Sequence, residues 1–581
     1  MYTASLNVHH GFGIFLRPFV RVFALLLFWI CIASLSVLGQ ANELKTLGGE
    51  LQNKVVAVQS GSKTYEQKAT FQEPALIRYS YDEIDQKGNR TNYIYEFNLA
   101  DIDPYAVREQ TQKDLISVVV AARNKQKLIK VYKNEVVQSY DDQTTIIAKD
   151  IENAREITGI IKKAIPPAEK VMASRLRLSG YDALVGWLVS NIKDVSFGEK
   201  SVKQSLKQGE HPGTLVLTRV EADSKSSTEE TYTFNLADIN ANTLSYKITG
   251  NQFAIQFEAL QKAKYFGVRR NGQARPYVNE MLISTNGPDE ARDMKYVFST
   301  VLPLAVEKVK GSMPPVNSDK DGMQKLVKLT TDITYGEQQI AQSMEETCLT
   351  NFTQVEKNPK GSSKSVMKFN WMDVNPLASA MEVAGERLFV DLKFTDDKKL
   401  VMNTADDKFK GYENQVRLYM PDIESARKAK FIIDKVIEKC KTSYKEPFGS
   451  DAASATAYFR NNIKEISLDG ATLKQAVEPV EGENSKFKFT MVEVNTKGSG
   501  PEQVYEFNLA DINPSNITME AKGKWLYVVM ETNFKAKIIK YYKDGKIQPY
   551  TTTLEFAVND VDVARNLVSA LKKAVTGVKG K

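Results

Sequence analysis

Four arginines, Arg155, Arg292, Arg427 and Arg565, share one local setting. Each follows an alanine, and each stands 54 residues beyond a recurrent aspartate: Asp101, Asp238, Asp373 or Asp511. A guanidinium near a core needs a carboxylate or carbonyls to offset its desolvation, so one reading is a structural Asp–Arg pair inside each copy. The other is a grip on an anionic or lipid-like ligand. In that case Lys127, Lys264, Lys399 and Lys537, each 26 residues past its aspartate, would join the arginines at phosphate, carboxylate or acidic glycan. The plainer role for those lysines is on an edge strand, where charge blocks pairing with another chain. The constant offset favours the structural pair.

Asp103, Asn240, Asn375 and Asn513 follow the same aspartates two residues later. Such a pair could open a calcium loop, but the glycine and distal glutamate of that loop do not follow. A turn after a strand is the expected role. No metal or cofactor site is expected.

Beyond residue 41 the chain has two cysteines, Cys348 and Cys440, and one histidine, His211, in Gly209-Glu-His-Pro212. The cysteines could close a long disulfide loop or be two separate buried thiols. One histidine in a turn supports neither a His-rich zinc site nor a catalytic triad, and no phosphate loop or dinucleotide fingerprint is present. An enzyme is not expected.

The elements that must position these residues are read from a recurring octapeptide. Tyr95-Glu-Phe-Asn-Leu-Ala-Asp-Ile102 returns at Tyr232–Ile239 and Tyr505–Ile512, with a weaker copy at Lys368–Val374. Phe97, Phe234, Phe369 and Phe507 are spaced by 137, 135 and 138 residues, and Tyr140, Tyr277, Tyr412 and Tyr550 keep the same register. A period of this length implies four copies of one domain. The expected layout is a signal peptide over 1–41 and copies at 42–168, 169–314, 315–447 (divergent) and 448–581.

The second copy is the easiest to read. Tyr181–Ile192 has helical spacing, seven alternating runs between Lys193 and Thr285 read as antiparallel strands, and a long amphipathic helix follows. Asn271-Gly272 and Asp544-Gly545 mark one recurrent hairpin. Proline-containing stretches, Ile165–Ala168, Gly311–Pro315 and Glu446–Gly449, read as linkers. The fold class is α+β: four tandem copies, each a bent antiparallel sheet of six or seven strands with a short N-terminal and a long C-terminal helix. In element order alone this is similar to the pleckstrin-homology-like roll, which carries no function with it.

Residues 1–41 contain no Asp, Glu or Lys, and Arg17 and Arg21 precede an apolar run ending in Gly39 and Ala41. That is the layout of a cleaved secretory signal, the rival being an uncleaved N-terminal membrane anchor. Past it, 76 basic residues face 71 acidic ones, a balance that gives no reason to expect nucleic acid. The expectation is therefore an exported, periplasmic or secreted scaffold. It would bind another envelope or secreted protein through repeated surfaces, with ligand carriage as the alternative.

Overall fold

A computed structural model describes residues 39–579 apart from 198, 469, 484 and 497. The expected signal peptide lies outside them, except for 39–41, which open helix α1 (39–54). Among the described residues no helix is long and apolar enough to cross a membrane.

After α1, nine strands follow: β1 (Val58–Ser60), β2 (Lys63–Gln72), β3 (Leu76–Ile84), β4 (Arg90–Asn98), β5 (Arg108–Gln112), β6 (Leu115–Ala121), β7 (Ile129–Lys133), β8 (Val136–Asp141) and β9 (Gln143–Ala148). They form two antiparallel sheets, β1-β2-β3-β4-β7-β8 and β5-β6-β9. Sheets of the same two orders occupy 195–285, 333–419 and 466–558, the last with one extra two-residue strand. The expected single bent sheet of six or seven strands is thus corrected to two sheets, because short strands such as β1 and β5 carry too few residues for a clear alternation.

The helices are α2 (Ile151–Arg175), α3 (Tyr181–Asn191), α4 (Pro288–Gly311), α5 (Asp319–Leu329), α6 (Ile423–Ser443), α7 (Ala452–Asn462) and α8 (Val561–Lys579). Asp150 and Asp422 cap α2 and α6 by accepting from the amides of Asn153 and Ser425. One expected linker is wrong: Ile165–Ala168 lies inside α2, with Pro166 and Pro167 within the helix. Proline removes an amide donor and crowds the preceding turn. Here the burial of Pro167, Ala168 and Val171 outweighs that cost, and Arg175 near the helix end pairs with Asp293 of α4.

Each pair of sheets is tied by a buried glutamine. Gln475 donates to the carbonyls of Lys464 (3.1 Å) and Ala557 (2.6 Å), and its own carbonyl accepts from the Ala557 amide. Gln204 does the same with Lys193 and Ser284, and Gln342 with Thr331 and Tyr419. In the first sheet pair Tyr79 joins Gln67 to the Ile147 amide. Gln475→Leu leaves these backbone groups without a partner, so denaturant unfolding is expected to show a loss of about 1–3 kcal/mol.

The chain divides into two compact units: residues up to Val309, apart from Ala263–Tyr265 and Arg275–Tyr277, and Lys310–Lys581 with those two short pieces. In the first unit, one core gathers around α2 and another around α3 and α4; the second also includes Ala122, Leu128 and Tyr140 from the first two-sheet segment. In the second unit a single continuous core runs from Met323 to Val575.

Candidate functional site

The octapeptide ends a strand and begins a tight turn. Asn98 closes β4, and its side-chain oxygen accepts from the Ala100 amide, capping the single 3-10 turn Leu99–Asp101. Asn235, Asn370 and Asn508 cap the corresponding turns. Two residues past each aspartate, the Asp103, Asn240, Asn375 and Asn513 side chains accept from backbone amides in the next turn. The turn reading of Asp-x-Asp/Asn holds.

These turns present Asp101 and Asp373 to an arginine, but not to the arginine of the same copy. Arg292 from α4 engages Asp101 through two nitrogens, its Nε at 3.1 Å, across 191 residues of chain. Arg565 from α8 engages Asp373 in the same way, its Nε at 3.0 Å, across 192 residues. The expected pairing within one copy is corrected to pairing with the preceding copy.

Each guanidinium also meets the acid three positions earlier on its own helix, Asp289 or Asp562. Those acids accept from the Asn98 and Asn370 amides at 3.0 Å and 2.9 Å. The result is a closed latch of turn asparagine, helix acid, helix arginine and turn aspartate, in which a planar fork meets a carboxylate along two bonds. Burial pushes the Asp101 and Asp373 carboxyls above their ordinary pKa, against the pull of the facing guanidinium. Burial would lower the arginines, but the paired carboxylates outweigh it and carry Arg292 and Arg565 upward.

Apolar contacts surround each latch. The Tyr140 ring meets Phe253 edge-on at 4.9 Å, and Leu128 lines a cleft with Gly287, Pro288 and Asp289 at the start of α4. In the second unit, Tyr412 and Lys368 line a cleft with Asp560 and Val561 at the start of α8, and Lys368 pairs with Asp560 at 2.6 Å. Tyr140 was expected to cap the core of its own copy; it packs instead into the core that follows.

The other two arginines pair on their own helices, Arg155 with Glu152 and Arg427 with Glu424. Lys127, Lys264, Lys399 and Lys537 are exposed in the connectors that follow 3-10 turns. They do not lie on an edge strand, since the strand after Lys127, β7, is paired on both sides. The cleft of about 250 Å3 beside Arg292 contains Asp101, Glu169 and Asp293 but none of the four lysines, so its charge opposes an anion.

Cys348 and Cys440 form a disulfide, Cα–Cα 5.8 Å, joining the loop before Leu349 to the last turns of α6. Asp319 lies close to both sulfurs, but sulfurs bonded to each other are not the thiolates a metal requires. The sequence reading overlooked the glutamine ties and the role of the turn asparagine. The asparagine was in plain view, at the same place in all four motifs.

Comparison of this chain with family models, curated proteins and solved structures finds no match.

Proposed function

We propose that the chain is an exported, non-enzymatic array of four α+β copies, two per unit, that binds a partner protein of the envelope or exterior through repeated surfaces. The recurrence of one sheet order and one latch supports the four copies. The Cys348–Cys440 bond supports export, because such bonds persist in oxidising compartments.

The observation that carries multivalent binding is a pair of exposed apolar side chains. The turn after Asp101 presents Tyr105 and the turn after Asp373 presents Leu377, both almost fully exposed. Each follows a proline and is held by an Asx contact, Asp103 to the Tyr105 amide and Asn375 to the Leu377 amide. A rigid turn offering an apolar tip loses little freedom on binding, and two tips on one chain reinforce each other through effective concentration.

Capture from the envelope and secreted fraction of the source, read by mass spectrometry, tests this. A stoichiometric protein should be retained by the native chain, weakly by Tyr105→Asp or Leu377→Asp, and not by the double variant. Retention of the same protein by the double variant would refute the assignment of these turns. Ligand carriage has less support, because Arg292 and Arg565 are committed to carboxylates.

A further inference from the structure

We infer that the first and last copies carry the two unfilled halves of the latch, and that the chain associates head to tail with a second copy of itself through Arg155 and Asp511. The inference rests on the four-copy reading above.

Consider first the half-latch that receives a helix. In the first unit Tyr140 is 3% exposed and Leu128 6%, covered by the segment that begins α4; in the second unit Tyr412 is 6% and Leu400 2%, covered by α8. The corresponding residues of the last copy are Tyr550 and Ile538, and they are 41% and 44% exposed. The turn beside them is intact: Asn508 caps it as Asn98 and Asn370 cap theirs. Asn508 is half-buried where those two asparagines are buried, and the Asp511 carboxylate has no hydrogen-bond or ion-pair partner among the described residues.

The half-latch that supplies the helix is open on the first copy. Glu152-Asn-Ala-Arg155 repeats the pattern of Asp289-Glu-Ala-Arg292 and Asp562-Val-Ala-Arg565. The Arg565 side chain is 15% exposed; that of Arg155 is 62% exposed and touches only Glu152 on its own helix. Four residues before the arginine, Val561 is 5% exposed against the preceding copy, whereas Ile151 is 40% exposed. Charge matches as well: an unpaired carboxylate on one end, an arginine on the other, and Glu152 placed to accept from the Asn508 amide as Asp289 accepts from Asn98.

What covers these faces is therefore read from two examples inside the chain. Because the two faces differ, the contact is heterologous and builds open chains or rings, not a two-fold dimer.

The test is sedimentation of the full chain, with whatever leader processing its host performs, across micromolar concentrations. The native chain should grow in mass with concentration. Arg155→Ala and Asp511→Ala should each weaken association at least tenfold while keeping the native circular dichroism and melting temperature, since both side chains lie outside the core. An equimolar mixture of the two variants should stop at a one-to-one pair, because only one complete latch can form. A monomeric native chain, or variants that assemble like it, would overturn the inference. Arg565→Leu measured alongside separates the two claims: if it lowers the melting temperature while the native chain stays monomeric, the four-copy reading stands and only self-association falls.

Discussion

Arg565→Leu is expected to destabilise the second unit by about 3–5 kcal/mol, the usual cost of removing one partner from a buried ion pair. The substitution leaves Asp373, buried and already pushed toward the protonated form, facing a leucine, with Asp562 nearby. The Asn370 amide retains Asp562, so the loss falls on the carboxylate that received the bidentate fork. Thermal or urea unfolding should show the second unit melting earlier while the first keeps its transition. Two controls separate charge from packing. Arg155→Leu, at an exposed site, should stay within about 0.5 kcal/mol of the native chain. Adding Asp373→Leu to Arg565→Leu should recover part of the loss, since burial without an orphan charge costs less than burial with one. An additive double variant would mean that the two groups are not coupled. The fourth copy by itself is not a valid host for this experiment, because its arginine has no partner there.

Breaking the Cys348–Cys440 bond is expected to cost the same unit about 3–5 kcal/mol on the chain-entropy account, because it closes a loop of 92 residues. Cys440 is also packed within the continuous core, so a Cys348→Ser, Cys440→Ser double variant adds a polar group where a small apolar one stood. Reductant should therefore lower the denaturant midpoint of the second unit and leave the first unit alone, since Cys31 is the only cysteine in that half. Mobility that does not change with reductant on a denaturing gel would contradict the bond.

Much of the local structure was legible because it rests on short-range rules. Tyr181–Asn191 and the strand Thr214–Ala222 follow from periodicity, and Asp150 and Asp422 announce their helices by N-cap chemistry. Asn271-Gly272 and Asp544-Gly545 sit at the expected hairpins, with left-handed backbone at all four residues. The division of the strands into two sheets was not legible, because pairing such as β4 with β7 skips over β5 and β6. The prolines at 166 and 167 misled for a related reason. A local rule says that the helix stops there, and burial of Val171 together with the Arg175–Asp293 pair overrides it.

The sequence by itself determined which residues matter: the asparagine, aspartate, tyrosine and arginine that recur at constant spacing. It could not decide who pairs with whom. In a chain of near-constant period, Arg292 stands at a fixed distance from its own Asp238 and at an equally fixed distance from Asp101 in the copy before. Spacing carries the same signal for both. Only the tertiary structure, by laying the start of α4 on the Leu99–Asp101 turn and the start of α8 on the Trp371–Asp373 turn, selects the earlier aspartate. The physical reason is that a buried guanidinium takes the carboxylate that packing brings within reach, whatever its place in the chain.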